Sequence, residues 1–116
     1  MEQTLDNLKK RHSEFCDARD WDQFHSPKNL SMALVAETAE IVEILQWLTE
    51  DESRNLPDKK QQHMRDEIGD VLIYLVRLAD RLGIDPVAAA FEKMEKNGIK
   101  YPVEKSKGNA LKYTEH

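Results

Sequence analysis

Thiol chemistry is almost absent from this chain, whose 116 residues include one cysteine, Cys16. A single cysteine excludes an intrachain disulfide and a zinc site built on several thiolates, and it suits a reducing cytoplasm. Glycine and proline are sparse, four of each, which argues against a linker-rich or disordered chain. Positive charge is in deficit, with 17 Lys and Arg against 22 Asp and Glu. No basic stripe is available to release counterions, so nucleic acid is not an expected partner. No stretch approaches the ~20 apolar residues that span a bilayer. The N-terminal MEQTLDNLKKRH lacks the apolar core of a signal peptide, so no membrane partner is expected and the expected location is cytoplasmic. Gly-rich phosphate loops, nucleophile elbows, internal repeats and low-complexity tracts are missing as well.

What the chain does have is helix-forming sequence with acids set into it. Thr4 caps a helix predicted over Leu5 to Ala18, with Leu5, Leu8, His12 and Phe15 along one face. RDWDQFHS, from Arg19 to Ser26, has no sustained period and reads as a loop. Ser26-Pro27 is a cap followed by an N1 proline, and the helix it opens is expected to run to about Glu50. TEDESRNLPD then reads as a polar connection. A third helix follows from Pro57 or Asp58 to Leu82, stopped by Gly83. Asp85-Pro86 repeats the cap signal for a fourth, through about Lys96 and closed by Asn97-Gly98. These elements predict an all-α, four-helix domain over residues 1–103 and a polar, flexible tail over 104–116. The segment Val71 to Ala79 is apolar around most of its circumference, broken by Tyr74 and Arg77. One partner helix cannot cover it, so the bundle is expected to be completed by oligomerisation.

Two acidic pairs interrupt the apolar stripes. Glu37 and Glu40 lie in ALVAETAEIVEILQWL, on a helix whose steps of three and four residues run Leu30, Ala33, Glu37, Glu40, Ile44, Trp47. Glu67 and Asp70 lie in MRDEIGDVLIYLVRLADRL. Residues three apart share a helix face, so four carboxylates converge if these helices pack. Two unit charges about 4 Å apart repel by ~4 kcal/mol at an effective dielectric of 20. A hard divalent cation resolves that conflict, with magnesium preferred and manganese the alternative. A single pair reads as a solvated face, whereas two pairs buried in apolar stripes favour metal ligation. A di-iron bundle needs Glu-x-x-His, which this chain lacks. Glu43, one turn past Glu40, stays open as ligand, general base or surface acid. Trp21, Phe24 and Trp47 are candidates to stack on a base, and His12 and His25 to hydrogen-bond a base or sugar. Each has an ordinary packing or surface role as its alternative. Lys93 and Asn97, one turn apart, are explained by capping alone.

Together RDWDQFHSPKNL, the ALVAETAEIVEILQW and DEIGDVLIYLVRLA helices and KMEKNGIKYPV resemble the MazG-like all-α nucleoside triphosphate pyrophosphohydrolases, and within them the dCTP pyrophosphatase branch. The resemblance spans roughly residues 12–103. The family's E-x-x-E and E-x-x-D motif is met by Glu37, Glu40, Glu67 and Asp70, with 26 residues between the halves. Where family members usually carry a further glutamate before the first motif residue, this chain has Ala36, a substitution the dCTP branch tolerates. The resemblance implies metal-dependent cleavage of a nucleoside triphosphate, dCTP or a modified dCTP, between the α and β phosphates. It implies a base pocket lined by His12, Trp21 and Trp47, with Tyr74, Lys93, Asn97 and Tyr101 near sugar and phosphates, and a homotetramer built as a dimer of dimers. Sequence leaves Glu40 and Glu43 both open as general base. The competing reading is a non-catalytic helical oligomer or regulatory module with a structural metal site, which fold alone does not separate.

Overall fold

A computed structural model describes residues 1–111 and Thr114. The chain divides into two compact units, Met1–Gly83 and Ile84–His116, and each is described by itself. The first holds α1 (Leu5–Ala18), a 3-10 turn (Asp22–Phe24), α2 (Pro27–Leu45), α3 (Glu50–Arg54) and α4 (Asp58–Arg81). The second holds α5 (Pro86–Lys100) and α6 (Val103–Ser106). The described residues form no strand, so the expected all-α class holds.

The caps read from sequence are in place. Thr4 Oγ1 accepts from the Asn7 amide and Ser26 Oγ from the Asn29 amide, both at 3.1 Å. The Asp85 carboxylate takes two amides, those of Val87 and Ala88, at 3.0 and 3.1 Å. Each satisfies first-turn N–H groups that the helix itself cannot. Gly83, at φ +67°, follows α4 in the left-handed conformation that glycine adopts without a Cβ penalty.

The sequence reading misplaces some boundaries. α2 stops at Leu45 rather than near Glu50, because Thr49 and Glu52 form a reciprocal capping box that opens α3 inside the expected connection. α5 passes through Asn97-Gly98 and ends at Lys100, since Tyr101 precedes Pro102 and is held out of helical geometry. The expected loop before Ser26 contains the 3-10 turn, entered through Asp20 at φ +54°. At the start of the stretch expected to be a flexible tail, Val103–Ser106 form one helical turn, which takes in Glu104, Lys105 and Ser106 of that stretch. Lys112, Tyr113, Glu115 and His116, also in that stretch, lie outside the described residues.

Within the first unit α4 is the central rod, packing against α2 and α1. Its apolar core gathers Cys16, Leu30, Val76 and Ala79, and its two buried charged residues, Glu67 and Arg77, both belong to α4. Contact with α1 and α2 leaves Ile68, Leu72 and Leu75 of α4 exposed, along with Met32, Val35 and Val42 of α2. Among the described residues no helix is long and apolar enough to cross a membrane.

Candidate metal and nucleotide site

The packing of α2 on α4 brings the acidic pairs together. One carboxylate oxygen from each of Glu37, Glu67 and Asp70 lies within 4.8 Å of the other two. Glu40 stands beside this triad rather than in it, its carboxyl pushed above the usual range by a hydrogen bond to Glu67 and then by the Glu67 charge. Glu37 is raised as well, first by loss of solvent and then by the charges of Glu40 and Asp70. Oε2 of Glu37 and Oε2 of Glu67 are buried without a hydrogen-bond partner. Among the described residues of the first unit, the one ion pair reaching the four acids is His63 Nε2 to Glu67 Oε1 at 3.4 Å, from an exposed imidazole.

These features fit a bound cation. Unpartnered buried carboxylate oxygens are costly, and an all-oxygen donor set at this spacing suits magnesium or manganese rather than a softer ion.

Asp70 also borders a cleft of about 420 Å³ lined by Leu8, Arg11, His12, Phe15, Trp21, Ile73 and Tyr74. Its aromatic wall is continuous. His12 stacks on Phe15 at 6.0 Å between centroids, and Phe15 meets the edge of Trp21 at 5.6 Å. Burial, then the Arg77 charge, then His25 lower the His12 pKa, which keeps its imidazole neutral at pH 7. Burial, followed by the Glu37 and Asp70 charges, raises the Tyr74 phenol, so its hydroxyl stays a donor. Such a wall accepts a flat, hydrogen-bonding ring.

A second cleft of about 500 Å³ is lined by Glu40, Glu43, Ile44, Trp47, Leu48, Lys60 and His63. Glu43 and Trp47, both exposed, therefore lie on the Glu40 side and not with His12 and Trp21. His25 sits behind the aromatic wall, 6.4 Å from His12 and 6.3 Å from Trp21 by ring centroids, and accepts a hydrogen bond from Arg77.

Lys93, Asn97 and Tyr101 belong to the second unit. Asn97 is half-buried and its carbonyl accepts from the Tyr101 amide at 2.8 Å. The Lys93 pKa is lowered, chiefly by the charge of Lys100.

Arg11 and Phe15 line the first cleft and Lys60 and His63 the second, and none of the four is among the candidates expected from sequence. Phe15 shares the face of Leu8 and His12, and His63 stands one turn before Glu67, so both had a periodic signal.

Known proteins add to this geometry. Residues 32–115 match the MazG-like family. The chain is similar to dCTP pyrophosphatase 1 of Mus musculus, 44% identical over 116 residues that cover 98% of this chain and 68% of the mouse protein. Its identity to dCTP pyrophosphatase 1 of Homo sapiens is 40%, again over 98% of this chain and 68% of the relative. Among solved structures, a pyrophosphatase from Archaeoglobus fulgidus DSM 4304 matches with a TM-score of 0.81 at 40% identity, covering 88% of this chain and 95% of that one.

Proposed function

The chain belongs to the MazG-like family and is a nucleoside triphosphate pyrophosphohydrolase, and we propose that it hydrolyses dCTP or a modified dCTP, with magnesium, to the monophosphate and pyrophosphate. The observation that carries this reading is the placement of Asp70, which belongs to the carboxylate triad and also borders the aromatic cleft. A ring bound in that cleft thus has its phosphates beside the acids.

In this reading Glu37, Glu67 and Asp70 hold the metal, with Glu40 completing the set or standing next to it. When bound, the ion supplies Lewis acidity and neutralises charge on the transferring phosphoryl and leaving groups. Trp21 stacks on the base, His12 presents a neutral imidazole to its polar edge, and the Tyr74 hydroxyl donates toward the sugar. On family resemblance Lys93, Asn97 and Tyr101 are assigned to sugar and phosphates and Trp47, from the Glu40 cleft, to the base, while His25 is kept by its own chemistry as a hydrogen-bonding group for base or sugar. Of the two general-base candidates, Glu40 is preferred: it touches Glu67 while opening onto the second cleft, where a water can approach its carboxylate. Glu43 borders the same cleft without lying in the acid cluster.

The exposed apolar faces of α2 and α4 support assembly into a dimer of dimers. The acidic balance and a lone buried thiol, Cys16, are consistent with a cytoplasmic enzyme that does not act on nucleic acid.

The test is pyrophosphate release from a panel of canonical and modified nucleoside triphosphates, with magnesium and with chelator. Selective, magnesium-dependent turnover of cytosine deoxynucleotides is expected. Turnover of none of the panel sinks the proposal.

A further inference from the structure

Arg77 is 3% exposed, deeper than any other charged residue among those described, and it borders neither cleft. It lies on α4 one turn beyond Tyr74 and two turns beyond Asp70. All of its guanidinium nitrogens are engaged. Nε donates to His25 Nδ1 at 3.2 Å, one terminal nitrogen donates to the Asp22 carboxylate, and the other lies 3.7 Å from Asp80 Oδ2. Arg81, one turn further, donates through Nε to the His25 carbonyl at 3.1 Å. The turn that carries Trp21 is therefore pinned to α4 at Asp22 and at His25. Behind it, the Trp21 backbone amide donates to the Cys16 carbonyl at 3.0 Å and the Gln23 side-chain Nε2 to the Asp20 carboxylate at 3.0 Å.

Stability alone gives little reason for an arginine here, because a buried ion pair is commonly replaceable by apolar side chains of similar volume. What an apolar residue cannot do is read two acceptors at once with a rigid fork. A guanidinium only donates, so His25 Nδ1 must accept, which puts the His25 proton on Nε2.

We propose that Arg77 is a positioning residue for nucleobase recognition: its fork sets the Trp21–His25 turn against Asp70 and Tyr74 on the same helix and fixes the His25 tautomer. The inference rests on the reading of the aromatic cleft as the base site. Because Arg77 reaches that site through the turn, its loss disturbs binding of the base and not the carboxylate cluster.

The experiment uses the full chain with Arg77→Met, which keeps the apolar stem, and Arg77→Lys, which keeps the charge without the fork. Both are expected to raise KM for dCTP about tenfold while kcat stays within about threefold, since misplaced binding groups cost affinity before chemistry. Magnesium affinity measured without nucleotide is expected to be unchanged. In a Trp47→Phe background, where Trp21 is the sole indole, both variants should red-shift Trp21 emission and expose it to acrylamide without nucleotide present. Should Arg77→Met fail to fold, the milder substitution Asp22→Asn, at a half-buried position, carries the test, with the same emission shift and a KM rise of about threefold.

A folded variant with KM within about twofold of the parent, or with kcat lost at constant KM, overturns the inference. Unchanged Trp21 emission does so too. Parent protein without any turnover refutes the proposed function instead, which separates the two failures.

Discussion

Replacing Glu67 with glutamine should make the metal-free protein more stable and the metal useless to it. Glu67 has an oxygen within 4.8 Å of oxygens on both Glu37 and Asp70. Two full charges at that separation repel by about 3.5 kcal/mol at an effective dielectric of 20. Full repulsion is not realised, because the cluster eases it by raising the carboxyls of Glu37 and Glu40 above their ordinary range. Removing the charge at Glu67 then relieves roughly 2–3 kcal/mol in total. Against this stands the loss of the His63 contact, worth less than about 1 kcal/mol for so exposed an imidazole. The expected net gain is about 1–2 kcal/mol, or a Tm higher by about 4–8 °C. In the parent, magnesium at a hundredfold excess over Kd should add about 2.7 kcal/mol, and in Glu67→Gln almost none of that should remain. Urea unfolding followed by circular dichroism, at one protein concentration, with chelator and with magnesium, reads both quantities. Turnover of dCTP should be lost as well. A metal-free variant less stable than the parent, or one that magnesium still stabilises fully, would falsify the electrostatic account of the cluster.

The same cluster gives a pH dependence. Glu37 and Glu40 carry folded pKa values above the ordinary 4.5, so their contribution to stability is present below that value and is lost as pH rises through the raised one. His12 and His25 are lowered from 6.5, each by burial first and Arg77 next. Their contribution is present above 6.5 and is lost as pH falls through the lowered value. Thermal melts at a series of pH values in chelator should show both trends, and Glu37→Gln should flatten the carboxylate trend alone; equal slopes in parent and variant would contradict the assignment. Trp21→Ala should weaken dCTP binding by about 1–3 kcal/mol, as loss of a base stack does, with a smaller effect on folding, and calorimetry beside thermal melting separates the two. Light scattering at micromolar concentration should give a mass above that of one chain, whereas a monomer would leave the apolar faces of α2 and α4 unexplained.

Much of this architecture was readable locally. Thr4, Ser26-Pro27 and Asp85-Pro86 announce helix starts because capping needs only three or four neighbouring residues, and the acidic pairs announce themselves because a helix repeats every three to four. The capping box of Thr49 and Glu52 had the same local signature and was outweighed by the polarity of its surroundings. Gly98 misled for the opposite reason: a glycine inside a helix costs only about 1 kcal/mol, and the real stop is Pro102. Which oxygens meet was beyond reach, since i,i+3 spacing puts Glu40 on the right face without deciding whether it joins the triad. The partner of Arg77 was hidden altogether, as Asp22 lies 55 positions away.

α4 carries Glu67, Asp70, Tyr74, Arg77 and Arg81 in unbroken register, so a single helix gauges carboxylate cluster, cleft wall and turn clamp against one another. One residue inserted or deleted between Asp70 and Arg77 would rotate the clamp about 100° away from the carboxylates. Length changes in α4 are therefore far more disruptive than substitutions of comparable size. The stretch from Gln46 to Pro57 carries no such gauge, since it joins two helices whose register is set by their own packing. Length variation among working relatives should collect there, and α4 should keep its residue count even where its side chains drift.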